Sequence, residues 1–124
     1  MPAGDARIAL VTGAGRGIGR ACAERLAAEG WTTVLAGRQV ETLEELAATL
    51  TAAGAEAVPI QFDQSDANSA IAVVGAVRER FGRLDGLVLN AGVHRPGLLG
   101  MVAADDIDVL FRTNAIGPFV LLQH

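Results

Sequence analysis

Two residue types that often carry chemistry are missing from this sequence. It contains no tyrosine, and all ten of its basic residues are arginine, so lysine is absent as well. A reaction that needs a phenol or a side-chain primary amine cannot draw either group from these 124 residues. Cys22 is the only cysteine, which excludes an intramolecular disulfide and a thiolate metal cluster and fits a reducing cytoplasm. Because it occupies a helical position among alanines, Cys22 is predicted to be a packing residue.

Aromatic residues are also scarce, and the chain has no excess of positive charge. Aromatic residues make up 4% of the chain and hydrophobic residues 51%, which is typical of a buried parallel sheet covered by helices. The net charge of −4 and the dispersed arginines argue against a nucleic-acid partner. The first residues, MPAGDARIALVTG, lack the charged start and long apolar core of a signal peptide, and their apolar run is too short to span a bilayer. We therefore expect a soluble cytoplasmic protein with no membrane partner.

Strand-like and helix-like periods alternate along the whole chain, which is typical of right-handed βαβ units. The predicted strands are 7–11, 32–36, 58–62 and 84–90. The predicted helices are 20–29, 41–53, a third that Ser65 or Asp66 caps and Gly82 ends, and a fourth that starts at Asp105 and Asp106. We predict one α/β domain over residues 1–124, a Rossmann-type doubly wound parallel sheet of order 3-2-1-4 with helices on both faces.

The spacing of apolar residues also predicts which helix faces are buried. The predicted inner faces are Leu43, Leu46, Ala47 and Leu50 in the second helix, Ile71, Val74, Val77 and Phe81 in the third, and Ile107, Leu110, Phe111 and Asn114 in the fourth. In this strand order the fourth strand would be an edge with an unpaired hydrophobic ladder. We therefore expect more protein after His124.

The segment Thr12–Gly19, TGAGRGIG, connects the first strand to the first helix. Gly13, Gly17 and Gly19 have no Cβ, so the chain can turn sharply, a phosphate can approach the main chain, and the helix can pack closely on the sheet. The free N–H groups and the helix dipole then face the anion. A glycine-rich turn can also be only a tight connection, but its place between a strand and a helix favours phosphate binding.

The end of the second strand reads Ala36-Gly37-Arg38 and contains no acid. A carboxylate here would accept hydrogen bonds from the 2′-hydroxyl of an adenosine ribose and would repel a 2′-phosphate. The planar fork of donors on Arg38 suits a phosphate instead, and Arg16 can approach the same group from the other side. Either arginine alone could be a solvated surface residue, but that interpretation is weaker for both arginines at these two positions.

The glycine turn, Asp63, Asn90-Ala91-Gly92 and the N-x-x-G-x-F segment from Asn114 to Phe119 together resemble the short-chain dehydrogenase/reductase family, and within it the 3-oxoacyl-carrier-protein-reductase-like members. The resemblance spans Arg7 to Gln123 and corresponds to the N-terminal half of such a reductase. It implies hydride transfer between a carbonyl and an alcohol, with NADP(H) favoured over NAD(H) as the cofactor.

The resemblance assigns roles to residues after the third and fourth strands. Asp63 would hold the adenine ring by its exocyclic amine with the backbone of Gln64 assisting, although Asp63 could instead cap the following helix. Asn90-Ala91-Gly92 is similar to the family's NNAG element, with Leu89 in place of the first asparagine. No metal is implied, and the implied cofactor-binding residues are Thr12, Gly13, Gly15, Arg16, Gly17, Ile18, Gly19, Arg38, Asp63, Gln64, Asn90, Ala91 and Gly92.

Asn114 is the candidate catalytic residue. An amide that faces inward from an apolar stripe must be satisfied by backbone, water or ligand. In the family this asparagine supports a water that relays protons to the active lysine, while the neighbouring Gly117 and Pro118 leave open a role in kinking the helix. Ser65 and Ser69 lie in the wrong segment to be the family's serine, and His94 is interpreted as an exposed loop residue.

Two functions therefore remain open. The first is an NADP(H)-dependent short-chain oxidoreductase, present as a fragment without the serine and the Tyr-x-x-x-Lys pair, and therefore inactive on its own. In full length it would act on a small carbonyl or alcohol substrate and form homo-oligomers, as related reductases do. The second is a non-catalytic NADP(H)-binding module or pseudoenzyme.

Overall fold

A computed structural model describes residues 6–93 and 97–124. The first part of the chain forms β1 Ile8–Thr12, α1 Gly17–Ala28, β2 Thr32–Gly37, α2 Val40–Ala52, β3 Ala57–Gln61, α3 Ala67–Phe81 and β4 Gly86–Val88. A 3-10 turn at Leu99–Met101 then leads to α4 Ala104–Phe111, a π-helical turn at Arg112–Ile116, and α5 Gly117–Gln123. The alternation of strands and helices agrees with the sequence pattern. His94, which is interpreted from the sequence as an exposed loop residue, lies outside the described residues.

The four strands form one parallel sheet of order β3-β2-β1-β4, which confirms the predicted order. Leu10 in the middle of β1 is in register with Val34 of β2 on one side and Leu87 of β4 on the other. All five residues of β1 are buried, as expected for a strand whose two faces are both covered. The carboxyl ends of all four strands meet at one edge, and the loops that follow them lie together there.

Two hydrophobic clusters cover the two faces of the sheet, so helices lie on both faces as predicted. One cluster contains Ile8, Leu10, Val34, Ala36, Phe62, Ala70, Val73, Val77 and Leu121, and places α3 and α5 on one face. The other contains Val11, Ala14, Ala23, Ala27, Leu35, Leu43, Leu46, Ala47 and Leu50, and places α1 and α2 on the opposite face. The predicted inner face of α2 is confirmed. None of the helices formed by the described residues is long and apolar enough to cross a bilayer.

Two details of the strand and helix predictions are wrong. The strand predicted over 84–90 is shorter, because the N–H groups of Asn90 and Ala91 leave the ladder and donate to the hydroxyl of Thr12. In α3, Val77 is buried and Val74 and Phe81 pack against the same core cluster, as predicted, but Ile71 is 46% exposed and Ala70 and Val73 are buried instead.

The predicted inner face of the fourth helix is also wrong. Ile107 and Phe111 are exposed, and α4 has no buried residue. After α4 the chain packs against α3 through α5, where Leu121 is buried. The π-helical turn between α4 and α5 contains an extra residue, so one 3.6-residue stripe does not keep the same direction through both helices.

Asp85 connects the starts of β1 and β4. Its Oδ2 atom accepts hydrogen bonds from the Ile8 N–H at 2.8 Å and from Arg83 Nε at 2.9 Å, while Arg83 Nη2 donates to Oδ1 at 3.0 Å. The hydrogen bond from the Arg83 side chain, followed by that from the Ile8 backbone, lowers the pKa of Asp85. The ionised carboxylate is therefore the form that holds these strand ends together.

We expect Asp85→Asn to reduce the dependence of folding stability on acid. A carboxyl group whose pKa is lower in the folded chain contributes stability above its unfolded pKa and loses it as the pH falls through the folded pKa. The urea midpoint should therefore fall less for Asp85→Asn than for the unaltered protein between neutral pH and about pH 3. Asp108→Asn, which removes an exposed pair with Arg112, is the control. An equal fall in the unaltered protein and in Asp85→Asn would contradict the assignment.

Candidate functional site

The loops after the carboxyl ends of the strands enclose a cleft of about 670 Å³. Open α/β sheets bind ligands in this position, outside the carboxyl ends of their strands. The cleft is lined by Gly13, Gly15, Arg16, Gly17, Ile18, Gly37, Arg38, Gln39, Thr42, Leu43, Phe62, Asp63, Gln64, Ser65, Asn90, Ala91, Gly92, Val93, Val109 and Thr113. The structure thus brings most of the predicted cofactor residues together, while Thr12, Gly19 and Asn114 lie outside this lining.

Gly13, Gly17 and Gly19 have different structural roles in the glycine turn. Gly13 and Gly17 have φ values of 64° and 59°, a left-handed conformation that favours glycine. A Cβ on Gly17 would meet nothing within 4 Å, so its main chain borders open space at the cleft. A Cβ on Gly19 would overlap the backbone oxygen of Gly13, so the missing side chain allows α1 to start close against the turn.

The start of α1 is open to an anion. Arg16 stands at the N-cap position and provides no side-chain cap, and the first turn contains no acidic residue. The first N–H groups of a helix have no partner within the helix, and they carry the positive end of its dipole. The residues that follow, Gly17 and Ile18, line the cleft. The turn therefore suits a bound phosphate group.

Arg16 and Arg38 give the rim of the cleft its positive charge. Arg16 lies in the loop after β1, Arg38 directly follows β2, and both side chains are exposed at the cleft. Neither guanidinium has an ion-pair partner in the part of the chain that the structure describes. Their hydrogen-bond donors are therefore available to a ligand anion.

Asp63 is held at the cleft by a local turn. Its Oδ1 atom accepts hydrogen bonds from Ser65 N at 3.0 Å and Ser65 Oγ at 2.7 Å, and its N–H donates to Ser69 Oγ at 2.9 Å. The cap of α3 is Asp66, whose carboxylate accepts the Asn68 N–H at 2.9 Å. The alternative role of Asp63 as the helix cap is therefore wrong, and Asp66 has that role.

Thr12 lies behind the cleft and joins its two halves. It is fully buried, and its Oγ1 atom accepts the N–H groups of Asn90 and Ala91, each at 3.0 Å, and donates to the Val88 oxygen at 3.2 Å. Asn90 Nδ2 donates to the Gly13 oxygen at 3.2 Å. These bonds hold the loop after β4 against the glycine turn, so Thr12 shapes the site without lining it.

Asn114 is exposed, so the prediction that it faces inward is wrong. Its Oδ1 atom accepts the Val93 N–H at 2.9 Å, and its Nδ2 donates to the Val93 oxygen at 2.8 Å. The amide is thus satisfied by backbone, one of the three partners that the sequence left open. Asn114 also lies in the π-helical turn that precedes Pro118, so holding the loop and interrupting the helix occur at the same residue.

Sequence reasoning missed the side chain of Gln64 and the contribution of Thr113. The resemblance implied only the backbone of Gln64, but its side chain is 4% exposed and donates to the Ala91 oxygen at 2.8 Å and to the Thr113 oxygen. A signal was present in Pro118, because a proline five residues after Thr113 removes an amide donor from the helix.

A parallel sheet with a glycine turn after its first strand, and a cleft where the strands end, is the architecture of the dinucleotide-binding class of α/β proteins. The family model described as short chain dehydrogenase matches residues 7–124. The chain belongs to the short-chain dehydrogenase/reductase family, which confirms the resemblance.

Two curated relatives are similar over most of this chain. The short-chain reductase protein NovJ of Streptomyces niveus is 40% identical over 110 residues, which cover 89% of this chain and 42% of NovJ. The 3-oxoacyl-[acyl-carrier-protein] reductase FabG of Staphylococcus aureus is 39% identical over 117 residues, which cover 93% of this chain and 47% of FabG. The chain therefore spans less than half the length of either relative.

Solved structures show the same fold. An alcohol dehydrogenase from the archaeon Thermococcus sibiricus, complexed with 5-hydroxy-NADP, superposes with a TM-score of 0.92 at 33% identity, over 96% of this chain and 51% of that chain. A short-chain dehydrogenase/reductase from Burkholderia phymatum in complex with NAD has a TM-score of 0.91 at 36% identity, over 99% of this chain and 44% of that chain. This chain therefore has the fold of the short-chain dehydrogenase/reductase family.

Proposed function

We propose that the cleft binds NADP(H). The pyrophosphate would lie on the main-chain amides between Gly13 and Ile18, and the 2′-phosphate would lie between Arg16 and Arg38. The observation that carries this proposal is the pair of guanidinium groups at the rim that have no ion-pair partner among residues 6–93 and 97–124, next to a β2 end without a carboxylate. A 2′-hydroxyl would find no acceptor of the usual kind there, whereas a phosphate would find two forks of donors.

The solved relatives support a nicotinamide cofactor of either kind. One was determined with an NADP derivative and another with NAD. The preference for NADP(H) therefore rests on the two arginines of this chain and only weakly on its neighbours.

The other residues of the cleft have distinct roles in this proposal. Asp63 would accept the exocyclic amine of adenine with the Gln64 backbone assisting, and the backbone of Ala91 and Gly92 would approach the cofactor. When bound, the nicotinamide supplies or accepts a hydride. Asn114 holds the backbone of Val93 and so orients the loop beside the cofactor.

For the whole protein we propose oxidoreduction between a small-molecule carbonyl and its alcohol, in the cytoplasm, by a homo-oligomer. These 124 residues do not include a tyrosine or a lysine, so proton transfer by a Tyr-x-x-x-Lys pair requires residues beyond them. The same composition favours a second candidate, a module that binds NADP(H) without chemistry. The coding sequence after His124 separates the two: an in-frame serine and Tyr-x-x-x-Lys pair favours the enzyme, and a stop codon favours the module.

Fluorescence titration with NADPH and NADH tests the binding proposal. We expect NADPH to bind the 124-residue chain at least about tenfold more tightly than NADH, because one charge-assisted contact to the 2′-phosphate suffices for that ratio. With aldehydes and ketones added, the absorbance of NADPH should stay constant. Equal affinities for NADPH and NADH would contradict the 2′-phosphate site. Steady oxidation of NADPH would show that these residues supply a proton donor, which would contradict the expected lack of activity.

A further inference from the structure

Gln64 is a buried polar residue at the junction of three loops. Its side chain lies between the loop after β3, the loop after β4 and the π-helical turn, because Nε2 donates to the oxygens of Ala91 and Thr113. These partners are 27 and 49 residues away along the chain. A Cβ on Gly117 would overlap the backbone oxygen and the Cγ atom of Gln64, so the start of α5 packs directly on this residue.

The π-helical turn explains why the Thr113 oxygen needs this donor. In a regular α-helix the Gly117 N–H would donate to the oxygen of Thr113, four residues earlier. Here it donates to the oxygen of Arg112 instead, so it is not available to Thr113. The next amide along the helix belongs to Pro118, which has no hydrogen to donate. The carbonyl group of Thr113 therefore takes its hydrogen bond from the Gln64 side chain.

The two carbonyl partners determine the orientation of the Gln64 amide. Exchanging its oxygen and nitrogen would place an acceptor against two other acceptors. In the adopted orientation the Oε1 atom is buried and has no hydrogen-bond partner among the residues that the structure describes. The amide therefore uses both of its donor hydrogens on backbone carbonyls of two other segments, and its oxygen stays unpaired for the sake of that orientation.

We propose that Gln64 is a positioning residue that couples occupancy of the cleft to the geometry of the Asn114–Val93 pair. Gln64 follows Asp63, which lines the cleft, and its side chain holds Thr113, the residue before Asn114. It also holds Ala91 in the loop that carries Val93. A shift of the loop after β3 on ligand binding therefore moves both supports of the Asn114–Val93 pair. This inference rests on the proposed function, because the ligand is NADP(H).

Hydrogen exchange at the Val93 amide tests the ligand-free part of the proposal. We expect Gln64→Met, which keeps a long unbranched side chain without a donor, to exchange the Val93 amide at least about tenfold faster. The Val34 amide in the central sheet is the internal reference and should not change. Gln64→Asn, whose shorter amide does not span the same distance, should behave in the same way. An unchanged ratio of Val93 to Val34 exchange in both variants would overturn the proposal.

Gln64→Glu separates hydrogen bonding from the filling of space. Its carboxyl group can donate a hydrogen bond only when it is protonated, so lowering the pH should move the Val93 to Val34 ratio back toward that of the unaltered protein. The unaltered protein at each pH is the control. A residue that only fills space would give the same ratio at every pH, and that result would overturn the proposal.

Titration with NADP⁺ tests the coupling to the cleft. We expect Gln64→Met to weaken NADP⁺ about tenfold, since the ligand must then order the loop by itself. Faster Val93 exchange with unchanged NADP⁺ affinity would overturn the coupling. If the unaltered protein binds no NADP⁺, the proposed function fails, while Val93 exchange in the ligand-free chain still decides whether Gln64 positions the Asn114 turn.

Discussion

Gly19→Ala is expected to abolish measurable NADPH binding and to lower the free energy of unfolding by about 2 kcal/mol. The added Cβ would overlap the backbone oxygen of Gly13 and crowd Asn90 Nδ2. A backbone oxygen in a tight turn cannot rotate away as a side chain can, so α1 must move from the turn. That movement displaces the amides that face the phosphate.

Gly75→Ala is the matched control, because Gly75 also lies in a helix and a Cβ there would meet nothing within 4 Å. Alanine is favoured over glycine inside a helix, so this variant should be more stable by about 0.5–1 kcal/mol and should bind NADPH normally. Urea unfolding and NADPH titration of both variants make the comparison. If Gly19→Ala is as stable as Gly75→Ala and keeps its affinity, the close approach at Gly19 has no functional importance.

Arg38→Ala is expected to weaken NADPH binding by about ten- to a hundredfold and to leave NADH binding within about twofold. A charge-assisted hydrogen bond to the 2′-phosphate is lost in the first complex, whereas NADH has no phosphate at that position. Arg16→Ala should have the same selectivity with a smaller effect if the two guanidinium groups share one phosphate. Parallel titrations with both cofactors measure this selectivity.

Two further variants serve as controls for the effect of Arg38→Ala on NADPH binding. Arg25→Ala removes an exposed arginine that pairs with Glu29 in the last turn of α1, outside the residues that line the cleft, and should leave both affinities unchanged. Arg38→Lys keeps the charge but not the planar fork, so it should recover only part of the affinity for NADPH. Equal losses for NADPH and NADH in Arg38→Ala would show that Arg38 supports the loop and does not contact a 2′-phosphate.

Much of the architecture was determined by the sequence itself. The order of strands and helices, the glycine turn and a polar helix cap between positions 63 and 66 depend on residues close together in the chain, and the structure then selects Asp66 as the cap. Alternating periods, missing Cβ atoms and a capping carboxylate each act within a few residues, so they can be recognised without knowing the fold. The parallel order of the sheet then follows from the handedness of βαβ units.

Other features were decided only by the tertiary structure. In α3, Val77 of the predicted face is buried, but the sheet also buries Ala70 and Val73 and leaves Ile71 exposed, and Phe111 of α4 is exposed as well. Asn114 and Gln64 take backbone partners 21 to 49 residues away. Hydrogen bonds between such distant segments depend on where the folded chain brings their carbonyl and amide groups, and local spacing carries no information about that.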